Sequence, residues 1–240
     1  DEFSHSNAGE LTIATTHTQA RYVLPPIVNQ FKKLFPKVHL VLQQASPVEI
    51  AEMLLQGEAD IGIATESLTT EDNLASVPYY EWHHSIITPK DHPLTKLDKI
   101  NLEVLAEYPL ITYHGGFTGR SKIDKAFEDA HLHADIVMSA LDADVIKTYV
   151  RLGLGVGVIA SMAIDPVLDQ DLVALDASHL FDASTTKIGF RKGAFLRTYM
   201  YDFMERFAPH LTKDVVEKAN MLRNQEEIDR MFSRFELPVR

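Results

Sequence analysis

The chain has 240 residues, enough for one large domain or two small ones. Hydrophobic residues make up 45% and charged residues 24%, so the composition excludes disordered and fibrous proteins, and no apolar run approaches the length of a membrane-spanning helix. The formal net charge of −11 disfavours nucleic-acid binding by this chain alone, and the absence of cysteine excludes disulfides and thiolate metal sites.

Strand and helix patterns alternate in the N-terminal part of the chain. Strands are predicted at 11–15, 38–44 and 61–65, and helices at 16–35 and 46–56. Pro25 and Pro26 lack the backbone N–H that a helix uses, so a kink is expected near Leu24. The strand–helix–strand order favours parallel pairing, because parallel neighbours need a helical crossover.

The alternation of strands and helices resumes after a fourth strand, which is predicted at 82–88. The turn at 89–93 contains two prolines and is expected to mark a crossing between subdomains. Further strands are predicted at 110–113, 136–140, 156–160, 172–175 and 187–190, and helices at 102–107, 121–130, 144–151 and 196–207, with helical pattern continuing to Phe235. The order predicts an α/β fold in two halves.

The first polar motif, Thr15-Thr16-His17-Thr18-Gln19, lies where the first strand passes into the first helix. Ligands of open parallel sheets bind outside the carboxyl ends of strands, and a helix N-terminus offers free N–H groups to an anion. Helix capping by the threonines is the competing interpretation, and the two are compatible.

The second polar motif is Gly115-Gly116-Phe117-Thr118-Gly119-Arg120-Ser121, again between a strand and a helix. It does not match a P-loop, because its glycine spacing differs and arginine stands where that motif has lysine. Two interpretations stay open: a flexible glycine turn with Ser121 as helix cap, or a half-site that closes on the same small anion from the opposite subdomain.

Other features give no catalytic or metal site. Gly153-Leu154-Gly155-Val156-Gly157 follows a helix and precedes a strand, which inverts the dinucleotide-binding context; a helix C-cap with tight strand packing is expected instead. No HExxH or G-x-S-x-G motif occurs, and Asp142 and Asp144 suit a helix cap and first turn. Trp82 serves either the core or the wall of a ligand cleft.

Four segments together resemble the effector-binding domain of the LysR-type transcriptional regulators, from about Gly9 to beyond Phe207. They are Ala14-Thr15-Thr16-His17-Thr18-Gln19-Ala20-Arg21-Tyr22, the stretch from Gly57 to Glu66 containing Ala59-Asp60-Ile61-Gly62-Ile63-Ala64-Thr65, Thr112 with Gly119-Arg120-Ser121, and Asp142 to Ala160. The last segment and Phe117-Thr118-Gly119-Arg120-Ser121 resemble the branch that activates sulfur assimilation and cysteine biosynthesis.

This resemblance implies two Rossmann-like subdomains of the periplasmic-binding-protein type (type 2), with a small ligand in the cleft between them. It implies a sensor rather than an enzyme, without metal or cofactor, whose effector is acetylserine, sulfate or a related anion. Carried over by matching motif, the ligand-binding residues are Thr16, Thr18, Gln19, Thr65, Trp82 and Thr118. Neutral hydroxyls, amides and backbone N–H groups can hold such an anion without lysine.

The resemblance also implies a domain plan. Residues 10–84 with 187–207 form subdomain I, residues 85–186 form subdomain II, and 208–240 form a C-terminal helical extension that packs on the body or on another subunit. Residues 1–9 are expected to be a residual linker or a cloning remnant, because the chain begins without Met or an apolar leader: either a leader was removed or the chain is an excised fragment.

The partners follow from the family plan. In such regulators a winged helix-turn-helix and a dimerising linker helix precede this domain, so promoter DNA and RNA polymerase are partners only through the full-length protein. A cytoplasmic homo-oligomer is expected, with a dimer of this domain and a tetramer of the full-length protein.

Three alternatives stay open. A sister regulator of sulfonate use would bind adenosine phosphosulfate, and the loop sequences do not separate it from the first assignment. A mature periplasmic oxyanion-binding protein would share the fold and would also explain the missing Met. An enzyme resembling a porphobilinogen deaminase domain is weaker, since no catalytic group stands out. The upstream coding sequence would separate a leader from a helix-turn-helix.

Overall fold

The computed structural model describes residues 7–65, 68 and 72–240, and the chain divides into two compact units. Unit 1 runs to Tyr80 and resumes from Thr185 to Val239; unit 2 comprises Glu81–Ser184 and Arg240. Residues 1–6 of the predicted linker, and Glu66 of the second family motif, lie outside the described residues. The predicted domain boundaries stay a prediction.

Unit 1 is built on a five-stranded mixed sheet in the order β2-β1-β3-β10-β4. Strand β1 pairs in parallel with β2 and β3, as predicted, whereas β10 runs antiparallel to β3. The strands are β1 (Gly9–Thr15), β2 (Val38–Gln44), β3 (Ile61–Ala64), β4 (Leu74–Trp82) and β10 (Ser184–Arg191). The helices are α1 (Leu24–Leu34), α2 (Pro47–Leu55), α6 (Thr198–Phe207), α7 (Lys213–Met221) and α8 (Gln225–Phe232).

A π-helical turn, Gln19–Val23, takes the place of the predicted kink near Leu24. The Leu24 N–H donates to the Gln19 carbonyl, one residue further back than in an α-helix. The wider turn lets the chain enter α1 with Pro25 and Pro26 in the first turn, where their missing N–H groups leave no hydrogen bond unmade.

The C-terminal helices pack on unit 1. Val216, Ile228 and Phe232 are buried, which agrees with packing on the body, one of the two arrangements that were predicted for the extension. The Gln225 side chain bonds both backbone groups of Ser76 on the edge strand β4, and His210 Nε2 donates to the Pro78 carbonyl over 2.8 Å. These bonds satisfy edge-strand groups that would otherwise be open to another chain.

Unit 2 has a second five-stranded mixed sheet in the order β7-β6-β8-β5-β9. Strand β6 pairs in parallel with β7 and β8, while β5 is antiparallel to β8 and β9. The strands are β5 (His84–Pro89), β6 (Leu110–Tyr113), β7 (Ile136–Ala140), β8 (Val156–Ala160) and β9 (Leu172–Asp176), with helices α3 (Leu102–Leu105), α4 (Arg120–Asp129) and α5 (Ala143–Arg151). Phe127, Phe181 and Ile123 are central in its core.

The predicted strand at 82–88 is wrong in its bounds. Strand β4 begins at Leu74 and ends at Trp82, and β5 begins at His84, with His83 between them. The turn at 89–93, expected at a crossing between subdomains, lies inside unit 2, since the chain changes unit between Tyr80 and Glu81. Among the described residues, each helix is too short or too polar to span a membrane.

A buried ion cluster joins α5 to the segment before β9. Lys147 Nζ lies 2.6 Å from Asp169 Oδ2, and both side chains are at least 94% buried. Arg151 bonds the other Asp169 oxygen at 2.8 Å and also reaches the exposed Asp171. Burial raises the pKa of Asp169, but the bonds from Lys147, the Asp165 N–H and Arg151 outweigh it and hold this pKa below its usual value.

We expect Asp169→Asn to lower the free energy of unfolding by about 3 kcal/mol, because it leaves the buried Lys147 ammonium with only the more distant and partly exposed Asp144 carboxylate, 3.6 Å away, as counter-charge. Asp171→Asn removes an exposed partner of Arg151 and should cost less than about 1 kcal/mol. Urea denaturation at pH 7 measures both. Equal effects of the two variants would contradict a role for the buried pair.

Candidate functional site

Unit 1 gathers four predicted ligand residues at one edge of its sheet. Thr16, Thr18 and Gln19 follow the end of β1, and Thr65 follows the end of the neighbouring parallel strand β3. The Thr16 N–H donates to the Ile63 carbonyl over 3.4 Å, which ties the two strand ends together. Thr16, Thr18 and Gln19 are only 8%, 2% and 2% exposed. The polar residues are therefore held in place rather than free in solvent.

Hydrogen bonds orient the Gln19 amide. Tyr80 Oη donates to Gln19 Oε1 over 2.8 Å, so the amide NH₂ points the other way. Gln19 Nε2 lies 3.5 Å from Thr186 Oγ1, which is 3.3 Å from Thr65 Oγ1. The long contact to Thr186 leaves Gln19 with donor capacity, since an amide nitrogen carries two hydrogens. The structure thus joins Gln19 and Thr65 through a residue of β10.

The threonine hydroxyls of the first motif do not act as helix caps. Thr18 has helical φ and ψ of −56° and −42° and forms no capping bond. Within residues 7–65, 68 and 72–240, neither the Thr16 nor the Thr18 hydroxyl has a hydrogen-bond partner. The fold therefore leaves both hydroxyls available to a ligand. Ligand binding is the interpretation for which helix capping was the alternative in the sequence.

Unit 2 contains the other two predicted ligand residues, Trp82 and Thr118. Both contact His84: the Trp82 and His84 ring centroids are 4.8 Å apart, and His84 Nε2 lies 3.2 Å from the Thr118 carbonyl oxygen. All three residues are buried. The structure thus brings Trp82 and Thr118 together around a histidine that the sequence did not single out as a ligand-site residue.

The glycine motif forms a tight turn before α4. Thr118 and Gly119 have φ of 41° and 71°, in the left-handed region, and Gly119 rather than Ser121 is the N-cap of the helix. The Arg120 guanidinium bonds the Tyr113 carbonyl at 2.6 Å and Asp124 at 2.8 Å. Since that cation is engaged within the fold, the turn offers a hydroxyl and backbone groups to a ligand.

Burial lowers the pKa of His84 to about 4; the bond to Thr118 partly offsets this lowering, and His83 adds a smaller lowering. The ring is therefore neutral near pH 7. A carbonyl only accepts, so Nε2 carries the hydrogen and donates to Thr118. His84 Nδ1 and the buried Ser184 hydroxyl have no hydrogen-bond partner among the described residues.

The remaining motifs are structural, as predicted. Gly153 ends α5 with a φ of 76°, and its N–H donates to the Val150 carbonyl. A Cβ on Gly157 would lie only 2.5 Å from the Ile87 side chain, so β8 packs against β5 too closely for a larger residue there. The Asp142 carboxylate accepts from the Val145 N–H and caps α5.

Sequence reasoning missed three residues that contact the predicted ones: Tyr80 and Thr186 in unit 1, and His84 in unit 2. A weak signal existed. His84 stands two residues after Trp82, and the run Ser184-Thr185-Thr186 precedes the predicted strand at 187–190. Only the pairing of distant strands shows which of these polar residues reach the site.

Residues 4–212 match the model of the LysR substrate binding domain. The chain belongs to this family. It is 55% identical over 222 residues to the transcriptional regulator SsuR of Burkholderia cenocepacia, covering 92% of this chain and 71% of SsuR. It is 50% identical over 240 residues to the regulator CysB of Haemophilus influenzae, covering all of this chain and 74% of CysB.

A solved structure agrees with these relatives. The cofactor-binding domain of the Cbl transcriptional regulator has a TM-score of 0.87 and 48% identity, over 91% of this chain and 96% of that one. This LysR domain is thus related to the CysB, Cbl and SsuR regulators, as the sequence predicted, and has their periplasmic-binding-protein-like α/β fold. The family regulates transcription and is not a family of enzymes, and the solute-binding alternative is not favoured.

The buried neutral His84 should make stability fall as the pH falls. In the unfolded chain its pKa returns to about 6.5, so between pH 6.5 and 4 the unfolded chain binds more protons and is stabilised relative to the folded one. From pH 7 to pH 5 we expect the wild type to lose about 2 kcal/mol more unfolding free energy than His84→Gln.

Urea denaturation at the two pH values measures this difference. His133→Gln, which removes an exposed histidine, should keep the pH dependence of the wild type. If His84→Gln keeps it too, the assignment of a buried neutral imidazole is wrong.

Proposed function

We propose that this LysR domain senses sulfur status for a transcriptional activator of sulfur assimilation and cysteine biosynthesis, by binding sulfate, a related anion or acetylserine. One observation carries the proposal: the Thr16 and Thr18 hydroxyls form no hydrogen bond within the described part of the chain, although the two residues are only 8% and 2% exposed. Neither oxygen is among the fully buried unpartnered polar atoms of the described residues, so both open onto accessible space, where a ligand can supply the partner.

The chemistry of the unit 1 cluster suits an anion. Its contributors are hydroxyls and an amide whose NH₂ is directed by the bond from Tyr80 to the Gln19 oxygen. Neutral donors in a low-dielectric site hold a dehydrated oxyanion firmly, because each bond to a charged acceptor is stronger than a neutral one. A carboxylate of acetylserine would use the same donors.

The unit 2 residues Thr118 and Trp82 are the second part of the proposal. The Thr118 hydroxyl would add a donor, and Trp82 would supply an apolar surface beside the ligand. That one ligand contacts both groups of residues, in a cleft between subdomains, stays a prediction from the family resemblance. Adenosine phosphosulfate, the effector proposed for a sister regulator, also carries a sulfate group and remains a variant of the proposal.

The regulators to which this domain is similar are named HTH-type transcriptional regulators. We infer that the whole protein contacts promoter DNA and RNA polymerase in the cytoplasm through parts other than this domain, that this domain pairs as a dimer and that the full-length regulator is a tetramer. An effector can change such an assembly only as far as it binds one of its states more tightly than another.

Thr18→Ala and Thr118→Ala should each weaken binding of the effector about fivefold, because each variant removes one hydroxyl contact of about 1 kcal/mol. Calorimetric titration with sulfate and with acetylserine measures the affinities. Thr18→Ser keeps the hydroxyl and should bind nearly as the wild type does. Thr148→Ala removes an exposed hydroxyl that bonds only its own helix and is the unaffected control. Unchanged affinity in both alanine variants would refute these assignments.

Gln19→Glu tests whether the site selects negative charge. The variant keeps an oxygen that accepts from Tyr80 but replaces the NH₂ donor with a second carboxylate oxygen. Sulfate binding should fall at least about tenfold at pH 7, because like charges repel strongly in a buried site. Gln43→Glu makes the same charge change at an exposed position of β2 and should alter sulfate affinity less than about twofold. Full sulfate affinity in Gln19→Glu would exclude this cluster as the anion site.

A further inference from the structure

The turn that presents Thr118 has an unfavourable backbone. Thr118 and Gly119 follow one another with φ of 41° and 71°. A threonine rarely adopts a left-handed φ, because its branched side chain crowds the neighbouring carbonyl. Such a conformation persists only where the surrounding structure holds it. Some other group must therefore fix the turn.

His84 is placed to fix it. Its Nε2–H donates to the Thr118 carbonyl over 3.2 Å, and its ring is fully buried. Trp82 packs edge-on against the ring with centroids 4.8 Å apart, and Phe181 does so at 5.8 Å. An imidazole clamped between two aromatic rings has little freedom to turn, so its donor stays directed at the Thr118 carbonyl.

Gly119 lies against the same ring. A Cβ at this position would be 2.7 Å from His84 Cε1, 2.7 Å from Ser184 Oγ and 2.9 Å from Trp82 Cη2. The backbone of the turn therefore rests directly on the histidine, with no side chain between them. The hydrogen bond and this close packing together define where the Thr118 side chain is held.

We propose that His84 is a positioning residue: it fixes the Thr118–Gly119 turn, and through it the direction of the Thr118 hydroxyl toward the effector. The part that concerns the effector rests on the proposed function, whereas the hold on the turn does not. His84 itself need not touch the ligand, because its polar atoms are enclosed by the protein.

Three variants separate the hydrogen bond from the volume of the ring. His84→Gln can place an amide N–H near the Nε2 position, His84→Asn carries the same amide one methylene shorter, and His84→Leu has no donor. His133→Leu, at an exposed position, is the control for loss of a histidine. Sulfate affinity by calorimetry, amide hydrogen exchange at residues 117–122 and the emission of Trp82, the single tryptophan of the chain, are measured for each.

We expect His84→Leu and His84→Asn to bind sulfate about tenfold more weakly, to exchange the 117–122 amides faster and to shift the Trp82 emission. His84→Gln should recover affinity and protection to within about threefold of the wild type. If His84→Leu does not fold, the comparison of His84→Asn with His84→Gln decides. Wild-type affinity and protection in His84→Asn, or a His84→Gln variant no better than His84→Asn, would overturn the proposal.

The two proposals fail differently. A wild-type protein that binds neither sulfate nor acetylserine would refute the proposed function. Faster exchange at 117–122 in His84→Asn, with protection restored in His84→Gln, would then still establish that His84 fixes the turn. Unchanged exchange in every His84 variant, beside normal sulfate binding by the wild type, would refute the positioning role alone.

Discussion

The parallel pairing of β1 with β3 is the constraint on which the candidate site of unit 1 depends. Register places Thr15 beside Ile63, and the Thr16 N–H continues the pairing one residue beyond β1. Two polar junctions, distant in sequence, therefore end at the same edge of the sheet. Strand β10 pairs with β3 on the other side and adds Thr186. Without this register the Gln19 amide and the Thr65 hydroxyl would not be joined through Thr186.

Neutral donors dominate both groups of predicted ligand residues. In unit 2 the nearby cation, Arg120, is already bonded to the Tyr113 carbonyl and to Asp124. In unit 1 the bond from Tyr80 occupies the Gln19 amide oxygen, so the amide NH₂ stays directed away from Tyr80 as a donor for a ligand. A sensor benefits from such a site, because directional hydrogen bonds discriminate among small anions by shape and by proton content, whereas a bare charge attracts all of them.

The two units stabilise their polar residues in different ways. In unit 1 a π-helical turn before Pro25 and Pro26 places Gln19 at the end of β1, a departure from α-helical geometry that often accompanies function. In unit 2 the strained Thr118–Gly119 turn rests on a buried neutral imidazole. Both devices hold a polar side chain in a conformation that the local sequence alone would not favour.

Much of the fold could be predicted because it is local. Strands β2, β6, β7 and β8 have the predicted bounds, since short apolar runs between turn signals identify them. Strand β4 was missed: its residues Leu74–Trp82 are almost all buried, so they show no alternation, and Pro78 interrupts the pattern. Strands β5 and β10 run antiparallel to their neighbours, and the sequence made no prediction of their direction, because direction depends on how the chain re-enters a sheet.

The sequence by itself determined the family, the α/β class and the positions of Thr16, Thr18, Gln19, Thr65 and Thr118 at strand ends, because those depend on neighbours a few residues away. Only the tertiary structure decided that Tyr80 and Thr186 orient Gln19, and that His84 supports Thr118. The physical reason is distance along the chain. Hydrogen bonds between residues 34 to 167 positions apart exist only after strands have paired, and no local pattern encodes which strands those will be.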